Sequence, residues 1–500
     1  MDEKTVLPAW RDVFGGKTWR TLGLLLLCAL ATYVVPGLSR FRPVRAGASA
    51  DLRPQVRLLI WKEEMEPIAP PPLRPLARAD VADALTALRR VTESEPALAG
   101  PNPFPYMQAS QSVLSGLSGT GTIEDPSGAM GHFYTSLLNT RALQPGAVTR
   151  IVHLGDSPIV GDLISGGARE RLQSLYGDAG HGWTMPGRPW DWYYHYGVIL
   201  DSAGWRPRSP LFGNGGTGRC GLNGVAFVSS SPSAVCRVAT VSRGLGRAVS
   251  HFKVYFCTTE HGGTLLASVD GGTPFEIITS ASPRAAVVRD IPVPDGRHVL
   301  TLHPKGDGEV SLYGVALERD LPGVVYDSVG ASGGTAHFLT LLNRDDWEEN
   351  LRERAPDLVI LNYGTNESTY GYFPKDMFAA DYREVVRRVR RTVPEASILL
   401  MAPMDRGTRD PAGQIVTLPA IPKLVDAQRA VAEEMGCAFF DTYKAMGGEG
   451  TMARWHAREN RLVTGDLTHP TPVGADYISK LLVDALQRGF EQHAAAQSQR

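Results

Sequence analysis

Apolar and polar positions alternate with the periods of both strands and helices in residues 123–199 and again in residues 326–490. Strands are predicted at residues 148–154 and within residues 358–364, 397–403 and 438–444, and helices at residues 130–138, 158–176, 378–392, 424–435 and 472–490. Such alternation is typical of an open parallel sheet with helices on both faces. We therefore predict an α/β domain assembled from these two parts of the chain.

The pattern changes between residues 200 and 325. This region holds about eight short apolar stretches, separated by Gly, Pro, Asp and Ser and without helical segments. Short strands at this spacing are typical of a β-sandwich or jelly roll. The sequence therefore predicts a β module inserted into the α/β domain.

An uncharged apolar segment lies near the start of the chain, at residues 21–39, between Arg20 and Arg40. Its length is close to the roughly 20 residues that a membrane-spanning helix needs. It also resembles the apolar part of a secretory signal, because residues 29–31 read Ala-Leu-Ala, as at a cleavage site. An uncleaved anchor and a cleaved signal both imply that the rest of the chain is exported, and a buried core helix is the remaining alternative.

Three further segments complete the predicted organisation. Residues 1–20 form a short N-terminal segment. Residues 40–122 are rich in proline and are predicted to be an extended linker with one candidate helix at residues 79–91. Residues 491–500 are predicted to be a polar tail.

Charge and cysteine content exclude some functions. The 500 residues carry a formal net charge of -1, and nothing in this balance suggests nucleic-acid binding, which is dominated by the neutralisation of phosphates. The cysteines other than Cys28 show no spacing typical of a zinc site. Three of them, Cys220, Cys236 and Cys257, fall in the β module, where one disulfide and buried free thiols are both open alternatives.

Polar motifs follow apolar stretches at three places where strands are predicted to end. Ser157 follows the strand at residues 148–154, Asn366 follows a second apolar strand, and Asp466 precedes His469 just before the last helix. In open α/β sheets, ligands bind at the carboxyl ends of the strands. Each motif alone has a structural alternative, because Asp-Ser caps helices, Asn forms turns and an Asp can cap a helix beside a surface His. Together they supply a nucleophile, an amide donor and a paired base.

These motifs resemble the sequence blocks of the SGNH (GDSL) hydrolases. The matching positions are Gly155-Asp156-Ser157 for block I, Gly333 for block II, Gly364-Thr365-Asn366 for block III, and Asp466 and His469 for block V. The resemblance covers residues 123–199 and 326–490. Two positions depart from the family pattern: Pro158 stands where leucine or histidine is frequent, and Ser332 stands in block II where asparagine is frequent.

The resemblance implies an SGNH-type parallel-sheet hydrolase domain and a role for each matching residue. Ser157 is the expected nucleophile, His469 its base and Asp466 the group that orients the base. The backbone N–H groups of Ser157 and Gly333, with the side chain of Asn366, are expected to form the oxyanion hole. No metal or other cofactor is expected.

Aromatic residues cluster in residues 180–197. Trp183, Trp190 and Trp192 are candidates for stacking on a sugar beside the cleft, and aromatic packing in the core is the alternative. Asp178 and His181 could form a second acid–base pair, but we interpret them as a structural loop because the C-terminal pair completes a better constellation.

The arrangement is similar to bacterial cell-envelope SGNH proteins that act on acetyl groups of peptidoglycan or exopolysaccharide. It predicts an esterase that removes O-acetyl groups from carbohydrate, with its catalytic domain in the periplasm, anchored to the inner membrane or secreted. The inserted module resembles carbohydrate-binding jelly rolls. Two alternatives stay open: an O-acetyltransferase with the same triad and a membrane acyltransferase partner, and a catalytically silent polysaccharide-binding scaffold.

Overall fold

The computed structural model describes residue 114, residues 116–369 and residues 375–499. In that part of the chain, no helix is long and apolar enough to cross a membrane. The predicted membrane or signal segment at residues 21–39 lies outside the described residues, as do residues 1–20 and most of the predicted linker.

The strands of the described residues fall into a parallel sheet, two antiparallel sheets and one small hairpin. In chain order they are β1 (Ile123–Glu124), β2 (Val148–Gly155), β3 (Gly182–Thr184), β4 (Val198–Ala203), β5 (Arg206–Arg208), β6 (Ala226–Ser229), β7 (Val235–Thr240), β8 (Val249–Thr258), β9 (Thr264–Val269), β10 (Phe275–Ile278), β11 (Ala285–Gly296), β12 (Val299–Pro304), β13 (Val310–Glu318), β14 (Gly323–Gly330), β15 (Leu358–Asn362), β16 (Ser397–Met401), β17 (Gly407–Arg409), β18 (Ile415–Thr417) and β19 (Ala438–Phe440).

The α-helices of the described residues lie almost entirely outside the antiparallel region. They are α1 (Gly131–Arg141), α2 (Ser157–Val160), α3 (Leu163–Tyr176), α4 (Ala336–Leu341), α5 (Arg344–Arg354), α6 (Lys375–Thr392), α7 (Ala420–Glu434), α8 (Thr442–Ala445), α9 (Thr451–His456) and α10 (Pro472–Ser498). The predicted polar tail is helical as far as Ser498, because its Ala- and Gln-rich sequence continues the pattern of α10.

The central sheet has the strand order β1-β19-β16-β15-β2-β14. All its neighbouring strands run parallel except β1, which is antiparallel to β19. Gly155 at the end of β2 lies opposite Gly330 of β14 and Asn362 of β15, so three of the motif-bearing strands end at the same level. The prediction of an α/β fold is confirmed.

Alternate residues of the central strands contribute to two different hydrophobic cores. In β2, Val152 belongs to one core and Ile151 to the other, and β15 divides Val359 and Ile360 in the same way. Successive side chains of a strand point to opposite faces, so an unbroken apolar strand fits a sheet covered on both sides. Helices α1, α3 and α10 contribute to one core, and α6 and α7 to the other.

The antiparallel strands form two sheets, with the orders β10-β9-β12-β7-β4 and β11-β8-β13-β6-β5. Val238 and Leu300 of the first sheet share a hydrophobic cluster with Val254 and Leu312 of the second, which is the arrangement of a β-sandwich. The short strand β3, which precedes the sandwich in the chain, pairs with β13. The same cluster includes residues of α6 and α7, so the sandwich and the α/β domain share a core.

The four cysteines of the described residues are buried free thiols. They are Cys220, Cys236, Cys257 and Cys437. Of the two alternatives left open by the sequence, the structure therefore favours free thiols over a disulfide in the β module.

Candidate active site

Ser157 stands at the point where β2 turns into α2. The turn is tight, because a Cβ atom on Gly155 would lie 2.5 Å from a side-chain carbon of Ile159. The helix predicted from residue 158 to 176 is interrupted: α2 is a single turn, and Asp162 has a positive φ of 50° before α3 begins. A single turn has little macrodipole, so α2 contributes little electrostatic stabilisation at Ser157.

The side chains of Ser157, His469 and Asp466 form a continuous chain of hydrogen bonds. The Oγ atom of Ser157 lies 2.9 Å from Nε2 of His469, and Nδ1 of His469 lies 2.6 Å from Oδ2 of Asp466. With the Nδ1 proton directed at the carboxylate, Nε2 is left as the acceptor for the serine proton. The structure thus brings together the three residues that the sequence assigns to catalysis.

The Asp466 carboxylate is held by its own loop. Its second oxygen, Oδ1, accepts hydrogen bonds from the backbone N–H groups of Thr468 and His469, at 2.9 and 3.0 Å, and from the hydroxyl of Thr464 at 2.7 Å. Burial alone would raise the pKa of Asp466, but these bonds and the His469 ring hold that pKa well below its usual range. Asp466 is therefore an ionised acceptor at neutral pH.

Strain within this loop fixes the direction of the pair. Leu467, between Asp466 and His469, has a φ of 59°, which is unusual for a residue other than glycine. Its carbonyl accepts a 2.8 Å hydrogen bond from the N–H of Gly407, at the start of the β17–β18 hairpin. Such strain persists where surrounding contacts over-determine the backbone, as this hairpin does.

Gly333 lies in a tight turn beside the serine. The N–H of Gly334 donates to the carbonyl of Ala331 at 2.9 Å, and the N–H of Ala331 donates to the carbonyl of Gly155 at the same distance. Gly333 has a φ of 72° at the third position of this turn, where a side chain would be strained. The turn thereby ties the block II loop to the end of β2.

Asn366 joins the same loop from the other side. Its side-chain nitrogen donates to the carbonyl of Gly334 at 2.8 Å. A primary amide carries two hydrogens, so the second can donate to an oxyanion. Ser157, Gly333 and Asn366 therefore come from three neighbouring strand ends, and hydrogen bonds join the loops that carry them.

Two buried carboxyl groups beside these residues were not predicted from the sequence. Burial raises the pKa of Asp156 to about 6, against a hydrogen bond from Thr365 and the charge of His469. Burial, with a contribution from Asp156, also raises the pKa of Glu367 to about 8. The available signal was position, because one acid precedes the nucleophile Ser157 and the other follows Asn366.

Two of the three candidate sugar-stacking tryptophans are core residues, which corrects their assignment as a binding surface. Trp183 is fully buried, and its ring N–H bonds to the side chain of Asn223. Trp190 is buried and packs edge-on against Phe212, with ring centroids 5.7 Å apart. Trp192 is 48% exposed and alone among the three retains an accessible face.

Asp178 and His181 do not form an acid–base pair with each other. Asp178 accepts from the N–H of Gly180 at 2.9 Å and pairs with Arg319. His181 is buried, bonds to the ring of His195 at 2.9 Å, and has a pKa well below its usual value because of burial. Their interpretation as a structural loop agrees with these contacts.

A family comparison covers part of this site. Residues 298–477 match the model of the GDSL-like lipase/acylhydrolase family. The match includes Gly333, Asn366, Asp466 and His469 but begins after Ser157, which the β-sandwich separates from them in sequence. No curated protein matches the chain by sequence.

Solved structures show the similarity of fold. A peptidoglycan O-acetylesterase superposes with a TM-score of 0.63 and 21% sequence identity, covering 74% of this chain and 99% of that one. Family two carbohydrate esterases from Clostridium thermocellum and Cellvibrio japonicus have TM-scores of 0.25 and 0.24, too low to support a comparison, with 13% identity in both cases. They cover 53% and 59% of this chain and 95% and 98% of their own. The match of residues 298–477 and the blocks on adjacent strand ends indicate an enzyme that is similar to the GDSL-like acylhydrolases in the part that holds Gly333, Asn366, Asp466 and His469.

Proposed function

We propose that the protein is an exported serine esterase that removes O-acetyl groups from a cell-envelope carbohydrate through an acyl-serine intermediate. The observation that carries the proposal is the hydrogen-bonded chain from Ser157 through His469 to Asp466. It lies next to the Gly333 turn, whose carbonyl at Gly334 accepts from Asn366.

The first half of the reaction forms the acyl-enzyme. The Ser157 oxygen attacks the acetyl carbonyl while Nε2 of His469 takes the serine proton. The carbonyl oxygen becomes an oxyanion, which the N–H groups of Ser157 and Gly333 and the amide of Asn366 are positioned to bind. The intermediate collapses as His469 returns the proton to the departing sugar oxygen, leaving acetyl on Ser157.

Water completes the second half. His469 removes a proton from a water molecule, which attacks the acetyl-serine carbonyl, and the same oxyanion donors act again. Acetate leaves and Ser157 regains its proton. The side chains of His469 and Asp466 are 43% and 51% exposed, so water can reach the base. This exposure favours hydrolysis over transfer to a sugar hydroxyl, which requires that water be kept out.

Two observations support a carbohydrate substrate. The structure that superposes with a TM-score of 0.63 is that of a peptidoglycan O-acetylesterase. Trp192 offers an exposed ring, and the neighbouring Tyr194 is exposed beneath the guanidinium of Arg188, 5.2 Å from the ring centroid. Exposed aromatic rings can stack on the apolar faces of sugars. We include the β-sandwich in the proposal as a carbohydrate-binding unit.

The proposed location rests on the sequence. The uncharged segment at residues 21–39 is the reason to place the catalytic domain outside the cytoplasm, in the periplasm, either anchored to the inner membrane or secreted. A membrane acyltransferase partner belongs only to the alternative in which acetyl is transferred.

Acetate release is the decisive measurement. Purified protein is incubated with O-acetylated peptidoglycan and with O-acetylated polysaccharide, each with and without an acceptor sugar. An esterase releases acetate at a rate that the acceptor does not change, and Ser157→Ala abolishes release. Acetyl appearing on the acceptor would establish a transferase. If the protein binds the glycan but catalyses no reaction that depends on Ser157, it is a polysaccharide-binding scaffold and not an esterase.

A further inference from the structure

Two consecutive side chains, Asn366 and Glu367, form hydrogen bonds with the loop that carries Gly333. Asn366 donates to the carbonyl of Gly334 at 2.8 Å, and Oε1 of Glu367 accepts from the N–H of Ala336 at 3.0 Å. The two contacts fall just after Gly333 in the chain, one on each side of Thr335. The direction of the Gly333 N–H therefore depends on both of them.

Glu367 occupies a site that disfavours a charge. Its side chain is buried, and its Oε2 atom has no hydrogen-bond partner among the described groups. Burial, together with the nearby charge of Asp156, raises the pKa of Glu367 to about 8, although the backbone N–H groups of Ala336, Glu367 and Gly364 act in the opposite direction. At neutral pH the carboxyl is therefore mainly protonated, and its carbonyl oxygen can still accept from Ala336.

We propose that Glu367 is a positioning residue of the oxyanion hole, which in its protonated form holds the Gly333 loop in register with Asn366. The inference rests on the serine esterase activity proposed above. Loss of the proton would bury a second negative charge near Asp156, at a carboxyl group whose Oε2 atom has no well-formed hydrogen bond among the described residues. The loop then relaxes, and the Gly333 N–H no longer points at the oxygen that Asn366 binds.

The other groups around Glu367 do not account for such a response. Tyr363 and Tyr382 interact with it electrostatically, but burial keeps the pKa of each well above its usual value. Gln428 of α7 is neutral and bonds to the Tyr363 carbonyl and the Tyr382 hydroxyl. Arg406 stays charged and donates to the carbonyl of Thr365 at 3.1 Å. Asp156, the other buried acid that interacts with Glu367, has a lower pKa of about 6. It therefore loses its proton at lower pH than Glu367 does.

Substitutions of Glu367 separate the effect of its hydrogen bond to the Gly333 loop from the effect of its charge. Glu367→Gln copies the neutral acid and keeps an acceptor oxygen, so kcat for p-nitrophenyl acetate at about pH 7 should stay within about threefold of the wild type. The kcat of the wild type should fall above about pH 8, and Glu367→Gln should lack this fall. Glu367→Ala should lower kcat about 10- to 100-fold with little change in KM, because an oxyanion donor acts on the transition state.

Glu395→Gln is the matched control, because this glutamate is exposed and its substitution should leave the wild-type profile unchanged. The proposal is overturned if Glu367→Gln loses as much kcat as Glu367→Ala, or if the alkaline fall persists in Glu367→Gln. If Glu367→Ala does not fold, the Gln variant decides alone. A wild type that hydrolyses no ester and is not labelled at Ser157 refutes the esterase itself, and the inference with it. Failure of the Glu367 variants in an active, labelled enzyme refutes the inference only.

Discussion

The Oγ atom of Ser157 and the Nε2 atom of His469 lie 2.9 Å apart, although 312 positions separate the two residues in the chain. The end of β2 supplies the serine, and the loop before α10 supplies the histidine. A serine hydroxyl is a weak nucleophile until an acceptor for its proton stands within hydrogen-bond reach. The 2.9 Å distance between the two side chains meets that condition.

Replacement of Ser157 by Ala should abolish ester hydrolysis. The oxygen that forms the acyl bond is lost, so kcat for p-nitrophenyl acetate should fall at least about 10³-fold. An organophosphonate should label the wild type at Ser157, as read by mass spectrometry of its peptides. Ser174→Ala, at an exposed position of α3, is the control and should keep both activity and labelling. A label on another serine would contradict the assignment.

Substitutions of the base and its partner should be similarly damaging. His469→Ala should cost about 10³-fold or more in kcat, and Asp466→Asn comparably or somewhat less, because the amide favours the wrong imidazole tautomer. His261→Ala and Asp426→Asn, at exposed positions, are matched controls. If Asp178 or His181 variants lost more activity than these two, the base would have been assigned to the wrong pair.

The rate should fall on the acidic side as the Asp466–His469 pair loses its capacity to accept the proton of Ser157. The pKa of Asp466 is lowered by its hydrogen bonds, so this carboxylate stays ionised until well below its usual range. Its contribution to stability is therefore present above the unfolded value of about 3.9 and is lost as pH falls below it. The value of kcat/KM for p-nitrophenyl acetate should thus decline as the pH falls, at pH values where circular dichroism shows that the protein is still folded.

The strands and the three motifs could be predicted from the sequence because both depend on local patterns of residues. A short apolar run such as β15, bounded by turn residues and alternating with helical stretches, favours a strand, and several polar turns at such strand ends support one another although each alone has an alternative. The burial of Trp183 could not be predicted from the sequence, since an aromatic residue suits a hydrophobic core and a sugar-binding surface equally. The raised pKa of Glu367 depends on burial and on Asp156, which is distant in the chain, so no local pattern reveals it.

Thr464 should act on catalysis through Asp466. Its hydroxyl donates at 2.7 Å to Oδ1 of the carboxylate, the oxygen that does not face the His469 ring. Thr464→Val keeps the shape but removes the donor, so kcat should fall about 3- to 10-fold, in line with one charge-assisted hydrogen bond of about 1 kcal/mol. Thr464→Ser retains the hydroxyl and should restore the rate. Equal losses in both variants would point to packing of the threonine methyl group instead.

Trp192 should matter only for a polymeric substrate. Its ring is half exposed, and contacts remote from the reacting bond position large substrates but not small ones. Trp192→Ala should therefore reduce acetate release from an acetylated polymer about tenfold and leave p-nitrophenyl acetate hydrolysis unchanged. Leu175→Ala, another exposed apolar residue, provides the control. Unchanged polymer activity would remove Trp192 from the proposed glycan surface.

A buried arginine joins the β-sandwich to the central sheet. The guanidinium of Arg354, at the end of α5, bonds to both carboxylate oxygens of Asp327 in β14, at 2.7 and 3.0 Å. It also pairs with Glu318 of β13 and donates to the hydroxyl of Tyr255 in β8 at 3.0 Å. Since β14 belongs to the central sheet and β8 and β13 belong to the β-sandwich, this ion-pair network should stabilise the contact between the sandwich and the central sheet.

Replacement of Arg354 by Met should destabilise the whole fold. It leaves the carboxylate of Asp327 buried without its cation, which typically costs about 3–5 kcal/mol. Arg352→Met, exposed on the same helix, should change the unfolding free energy by less than about 0.5 kcal/mol. Urea unfolding followed by tryptophan fluorescence measures both.

The pH dependence of that loss tests its electrostatic origin. Burial alone would raise the pKa of Glu318, but Arg354, Arg150 and Lys253 hold it well below its usual range. The resulting stability is present above the unfolded value of about 4.3 and is lost as pH falls through the acid range. The difference in unfolding free energy between wild type and Arg354→Met should therefore shrink below about pH 4. A difference that stays constant with pH would mean that Arg354 acts through packing of its side chain, because packing does not titrate.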